Sequence, residues 1–170
     1  MRIDGLTSVA LGLVVVGSAL AHDLYIMPES EASVSVERLR DASLRSNFQA
    51  YAKSLLSAGN PNGFYQTVTG QLIEIIPEKD PYGRKPGDSL PVRVLFRGSP
   101  APKLQIEAAW AGPNGRAVHA VGRTDAGGRI TVPLAQAGKW RLHTIRMERC
   151  SDPKAADWES FWASLTFELR

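Results

Sequence analysis

The chain has 170 residues, a formal net charge of +3, 44% hydrophobic and 22% charged residues, and a single cysteine, Cys150. Its charges are scattered, with no like-charged block and no basic-aromatic stripe, so nucleic acid is disfavoured as a partner. One cysteine excludes an intramolecular disulfide, and the fold has to rest on its apolar core.

In chain order the first pattern is secretory. Arg2 supplies a positive charge that Asp4 offsets, Val9 to Leu20 is apolar with small residues, and Ala19-Leu20-Ala21 satisfies the small-residue rule for cleavage. The run is too short to cross a bilayer. These features predict an N-terminal signal helix over residues 1–21, a periplasmic or secreted product, and no membrane span after cleavage. Cutting after Ala21 leaves 149 residues, one domain's worth of chain, with His22 first. A free α-amine and an imidazole on one residue can chelate a transition metal.

Residues 22–63 read as an N-terminal segment containing one amphipathic helix, about 41–57. Its apolar positions Leu44, Phe48, Tyr51, Leu55 and Leu56 recur at three- and four-residue intervals, and Gly59-Asn60-Pro61-Asn62-Gly63 stops it. Residues 64–170 switch to alternation. Gln71 to Pro77 is apolar on both phases, and Leu90 to Phe96 and Leu104 to Trp110 alternate. Ala117 to Arg123, Ile130 to Leu134, Trp140 to Arg149 and Trp162 to Leu169 complete seven short strands. Together these predict a mainly β fold, an immunoglobulin-like antiparallel β-sandwich preceded by the amphipathic helix and the signal helix, with Trp110 and Trp140 as core anchors. No βαβ alternation, phosphate-binding glycine loop or Gly-x-Ser-x-Gly elbow is present, which disfavours nucleotide enzymes and serine hydrolases of those types.

Three pieces of the chain resemble one family. They are His22-Asp23-Leu24-Tyr25, the stretch Leu72 to Phe96 with Pro81-Tyr82 and Pro86-Gly87-Asp88, and the C-terminal run beginning Thr124-Asp125-Ala126-Gly127-Gly128-Arg129. That run continues through Gly138-Lys139-Trp140, His143, Met147-Glu148, Asp157-Trp158-Glu159-Ser160 and Trp162 to Glu168. It is similar to the secreted domain-of-unknown-function family 4198. The resemblance implies a periplasmic, β-rich protein akin to substrate-specific components of nickel and cobalt uptake, with the N-terminal histidine and the Trp-x-x-His histidine as metal-ligand candidates. Relative to that family, the part between the His-Asp start and Lys53-Ser54-Leu55-Leu56 is shortened across Glu29 to Arg45.

The histidines left after cleavage are His22, His119 and His143. Nitrogen-donor metal sites need two or three imidazoles or equivalents, so each is a candidate by scarcity. His119 sits in an ordinary strand without a partner motif. Around His143 the alternation of Trp140 and Leu142 against Ile145 and Met147 slips, and a bulge at His143-Thr144 would reconcile it. Glu148 joins His22 and His143 as a metal-ligand candidate, with Asp152, Asp157 and Glu159 as oxygen donors or orienting acceptors. Cys150 reads as inert and partly buried, or as a soft ligand or intermolecular bridge. Trp158 reads as a plug for the sandwich end, or as a sticky patch for a partner or sugar.

The resulting expectation is a non-enzymatic periplasmic accessory that binds nickel, cobalt or copper and works with an envelope or membrane transporter component. The alternative is an interaction module of the cell envelope that holds no metal. An oxidative copper enzyme would need a flat substrate face that the sequence does not display.

Overall fold

The computed structural model describes residues 11–19, 46–58, 63–112 and 115–170, with backbone alone for 11–19, 46–48 and 56–58. Among the described residues, ten strands make two sheets. The larger runs in the order β1 (Leu11–Ala19), β2 (Ser46–Ala58), β10 (Trp158–Leu169), β9 (Gly138–Arg149), β6 (Gln105–Gly112), β7 (Gly115–Arg123). In the smaller, β4 (Ser89–Phe96) pairs with β3 (Ile73–Pro77), β5 (Ser99–Pro100) and β8 (Arg129–Pro133). Three-residue 3-10 turns stand at Phe64–Gln66 and Pro81–Gly83.

All seven strands expected from alternation are present. Four of them bury one phase against a core shared by the two sheets: Leu90, Val92 and Val94 from β4, Ile106 and Ala108 from β6, Trp140 and Leu142 from β9, and Phe161, Ala163, Leu165, Phe167 and Leu169 from β10, whereas β7 is exposed along residues 115–120. Burying an aliphatic or aromatic side chain of this size contributes about 1.5–3 kcal/mol, which is why this alternation dictates the layering. Strand β3 is buried along its whole length, Ile73, Ile75 and Ile76 by their apolar side chains and Glu74 through its ion pair with Lys53. Trp140 and Trp110 are core members, and each indole N–H reaches a carbonyl, Gln136 O at 2.9 Å and Ala137 O at 2.7 Å.

Two expected helices take the form of strands where the structure describes them. Residues 46–58 form β2, parallel to β10 and antiparallel to β1. The three- and four-residue spacing there coincides with a two-residue one: Tyr51, Lys53 and Leu55 share one phase, while the small residues Ala50, Ala52 and Ser54 share the other. Within the expected signal segment, residues 11–19 form β1 rather than a helix. Leu44 and residues 20–45 lie outside the described residues. The ladder between β9 and β10 runs without a break from Gly138–Leu169 to Arg149–Trp158, so there is no bulge at His143-Thr144. Alternation is instead preserved at the cost of exposing Ile145 and Met147, and the irregularity falls between Ile106 and Glu107, opposite β7.

Candidate functional site

Strand β9 turns Trp140, Leu142 and Thr144 inward. His143 therefore lies on the outer face of the larger sheet, on the phase of Arg141, Ile145, Met147 and Arg149. Register sets its neighbours: Ser164 opposite on β10, Ala52 beyond it on β2, and Glu107 opposite on β6. Its Nδ1 is 3.1 Å from the Ala163 carbonyl oxygen and 3.3 Å from Ser164 Oγ. A carbonyl only accepts, so the Ala163 contact assigns the proton to Nδ1 and the lone pair to Nε2. The Trp162 ring stands with its centroid 5.4 Å away, inclined at 52°.

His143 is only 6% exposed. Burial above all, with the Arg141 charge adding to it, lowers its pKa from 6.5 to about 4, against an upward pull from the Ala163 hydrogen bond. The ring is neutral near pH 7, and one nitrogen is held by a backbone acceptor. Metal-bound histidines are oriented in this way.

Glu148 is on the inward phase of the same strand, so the sheet separates it from His143. Its carboxylate accepts from Arg146 Nε and Nη2, at 2.9 and 2.7 Å, and pairs with Arg97 Nη1 at 3.0 Å. Both guanidiniums lie over the Phe96 ring, at 4.5 Å for Arg97 and 4.3 Å for Arg146, and Phe96 meets Phe161 edge-on at 5.0 Å. Glu148 thus closes an arginine-aromatic cluster and is not brought to His143. His22 lies outside the described residues. Among the described residues, no three or more His, Cys, Asp and Glu side chains gather as a metal cluster. Of the expected ligands, His143 is a neutral imidazole with its Nδ1 proton on Ala163 O, and the Glu148 carboxylate is paired with Arg97 and Arg146 on the other face.

The remaining candidates take structural positions. His119 is exposed on β7 and meets Trp140 edge-on at 6.5 Å, on the opposite face from His143. Cys150 is a partly buried free thiol whose backbone N–H donates to Asp157 O at 3.2 Å. Asp152 caps its own turn, accepting from Lys154 N at 2.9 Å. Glu159 stands opposite Glu148, away from the histidine. Trp158 pairs with Arg149 on the outer phase, and that guanidinium sits 4.1 Å from its ring centroid, so Trp158 is not a core plug.

Ala163, Ser164 and Trp162, the groups that define the surroundings of His143, lie in the C-terminal run that carries the family resemblance, but nothing in that run ties them to the histidine. A hairpin closing over Cys150–Asp157 would have found them, because its register puts His143 opposite Ser164.

A family model for Domain of unknown function (DUF4198) matches residues 34–148. The chain belongs to that family. No curated protein and no solved structure matches it. In this DUF4198 chain the matched region covers most of both sheets and includes His143 and Glu148. Its Thr124–Arg129 motif has a structural role. Thr124 Oγ1 donates to Ala101 O at 2.7 Å and accepts from Leu104 N at 2.9 Å. Asp125 Oδ1 accepts from the N–H groups of Gly127 and Arg129, each at 2.8 Å. Gly128, at φ +72°, leaves no room for a Cβ beside Val94 O.

Proposed function

We propose that this DUF4198 chain is a periplasmic or secreted, non-enzymatic domain of immunoglobulin-like architecture that captures a transition-metal ion and passes it to an envelope or membrane transporter component. The observation that supports this reading is His143, a neutral, buried imidazole whose Nδ1–H is directed to Ala163 O and whose Nε2 keeps its lone pair. The second donor set is His22 after cleavage behind Ala21, whose amine and imidazole chelate through two nitrogens. Nickel or cobalt follows from the family resemblance, and copper from the nitrogen-rich donors. Ala163 and Ser164 orient the His143 ring, and Trp162 limits water beside it.

Cleavage at that point takes β1 with the leader. Strand β2 then becomes the edge of the larger sheet, still paired with β10 from Ser46–Trp158 to Ser54–Thr166. Capture requires the amine and both imidazoles unprotonated, so affinity falls with pH through the His22 groups first, while His143 stays neutral.

The test is calorimetry with nickel and copper on three proteins: one beginning at His22, one with an extra residue before His22, and one beginning at His22 with His143→Ala. Weaker binding in the second and third is expected. Equal affinity in all three would overturn the reading.

A second reading, an envelope interaction module without metal, is favoured by one observation. Ile145 and Met147 are 39% and 57% exposed on the outer face of β9, beside the Trp158–Arg149 pair. Absence of metal binding in all three proteins, with loss of an envelope partner on Met147→Glu, would favour it.

A further inference from the structure

The outer face of the larger sheet groups its exposed apolar side chains and surrounds them with arginine. On β9 it presents Arg141, Ile145, Met147 and Arg149, with Ile145 39% and Met147 57% exposed. The ladder with β10 sets Trp162 opposite Ile145 and Trp158 opposite Arg149, so two half-buried indoles border the same apolar centre. The Arg149 guanidinium lies 4.1 Å from the Trp158 ring centroid, and Trp162 Nε1 donates to Ser160 Oγ at 3.2 Å.

Arg141 and Arg149 stand at the two ends of this centre along β9, about 26 Å apart by strand rise. Towards the β7 edge, Gln105 on β6 pairs with Arg123 and Ala111 pairs with Arg116, which puts both arginines on the same face, exposed. Among the described residues, the carboxylates that the strands present on this face are Glu107 and Glu168, and Glu168 stands opposite Lys139. With that pair offset, four arginines meet one carboxylate, and the face is cationic.

We infer that the outer face of the larger sheet docks on an anionic phospholipid bilayer. A bilayer offers phosphates at its surface and hydrocarbon just below, and this face offers guanidiniums around a protruding apolar centre. Arginine stems lie along apolar surface while their heads bind phosphate oxygens bidentately. Indoles, with an apolar body and a polar N–H, favour that boundary. Ile145 and Met147 are too few to anchor a stable protein interface, which buries about 800 Å² on each partner, but they suffice for shallow insertion between headgroups. Docking here rests on the interaction-module reading for its face and not on metal capture. It turns His143, two residues from Ile145 on the same face, towards the bilayer.

The test is co-sedimentation of the full chain, in the presence of a chelator, with vesicles of phosphatidylcholine alone and of phosphatidylcholine mixed with phosphatidylglycerol. Binding to the anionic vesicles only is expected, weakening as salt is added. Arg149→Gln and Arg116→Gln should each lower partitioning about fivefold, and Met147→Ser about tenfold with the charge unchanged. Lys79→Gln removes an exposed cation just beyond β3, off this face, and should change nothing. Every variant carries the same N-terminal segment, so differences between them belong to the face. No binding to anionic vesicles, equal binding to both kinds, or a Lys79→Gln effect as large as that of Arg149→Gln overturns the proposal. So does capture of an acidic protein by this face without vesicle binding. Nickel binding that persists in a chain indifferent to vesicles would sink the docking alone and leave the capture reading standing.

Discussion

Lys53 on β2 and Glu74 on β3 form an ion pair between the two sheets with side chains only 2% and 1% exposed. Thr69 donates to the same carboxylate oxygen through its N–H and its hydroxyl, each at 2.8 Å, and Lys53 Nζ also donates to Thr67 O at 2.9 Å. Burial pushes the lysine pKa down, and the carboxylate partner pulls it back up. Removing one partner strands the other in the interior. Lys53→Met should therefore destabilise the protein by about 3–5 kcal/mol, and Lys53→Met with Glu74→Leu should recover most of that loss. Urea denaturation of the two variants measures both effects.

His143 gives the protein a pH-dependent stability. Its pKa is about 4 when folded against an ordinary 6.5, so between those values the unfolded chain binds more protons than the folded one. Stability is expected to fall as pH drops through that window, by on the order of 3 kcal/mol in full from this group. Replacing His143 with Gln should flatten this part of the profile. Urea midpoints for both proteins between about pH 4 and 7 provide the comparison, and identical slopes would contradict the assignment.

Gly128 is confined by its neighbours. An added Cβ would lie 2.5 Å from Val94 O and 2.8 Å from Ala101 N, at a φ of +72° that disfavours any side chain. Gly128→Ala is expected to cost roughly 2–4 kcal/mol. Substitution at Gly87, where nothing stands within 4 Å of the added atom, should cost less despite its φ of +94°. Thermal unfolding of the pair separates crowding from backbone strain.

A chain beginning at His22 should keep the two-sheet fold. Strand β2 retains its parallel ladder with β10, its ion pair to Glu74, and the Tyr82 hydroxyl bond to Leu55 O at 2.5 Å. Far-ultraviolet dichroism and a single cooperative unfolding transition are the expected readouts. Loss of cooperativity would show that β1 is indispensable.

Alternation made the seven later strands legible, because Leu90, Val92 and Val94, or Trp140 and Leu142, repeat with the period of a pleated sheet. The same logic failed at β2 for an identifiable reason. A charged residue, Lys53, occupies an inward position there, neutralised by Glu74 from a distant strand, and the outward positions are small rather than polar. Pairing across 21 residues of sequence leaves no local trace. In the candidate site, histidine scarcity pointed to His143, but Glu148 was chosen by closeness in sequence. Five residues along a strand change the face, and Arg97 and Arg146 claim that carboxylate. The Ala163 acceptor could be reached only through the hairpin register.

The central claim is that His143 offers Nε2 to a metal ion. Nitrogen-15 spectra of histidine-labelled protein beginning at His22, titrated with copper to one equivalent, test it directly. The account predicts a Nδ1-protonated His143 near neutral pH whose Nε2 signal is lost together with that of His22, while the exposed His119 is unaffected. A His143 signal unchanged at one equivalent of copper, or lost no sooner than that of His119, would contradict it.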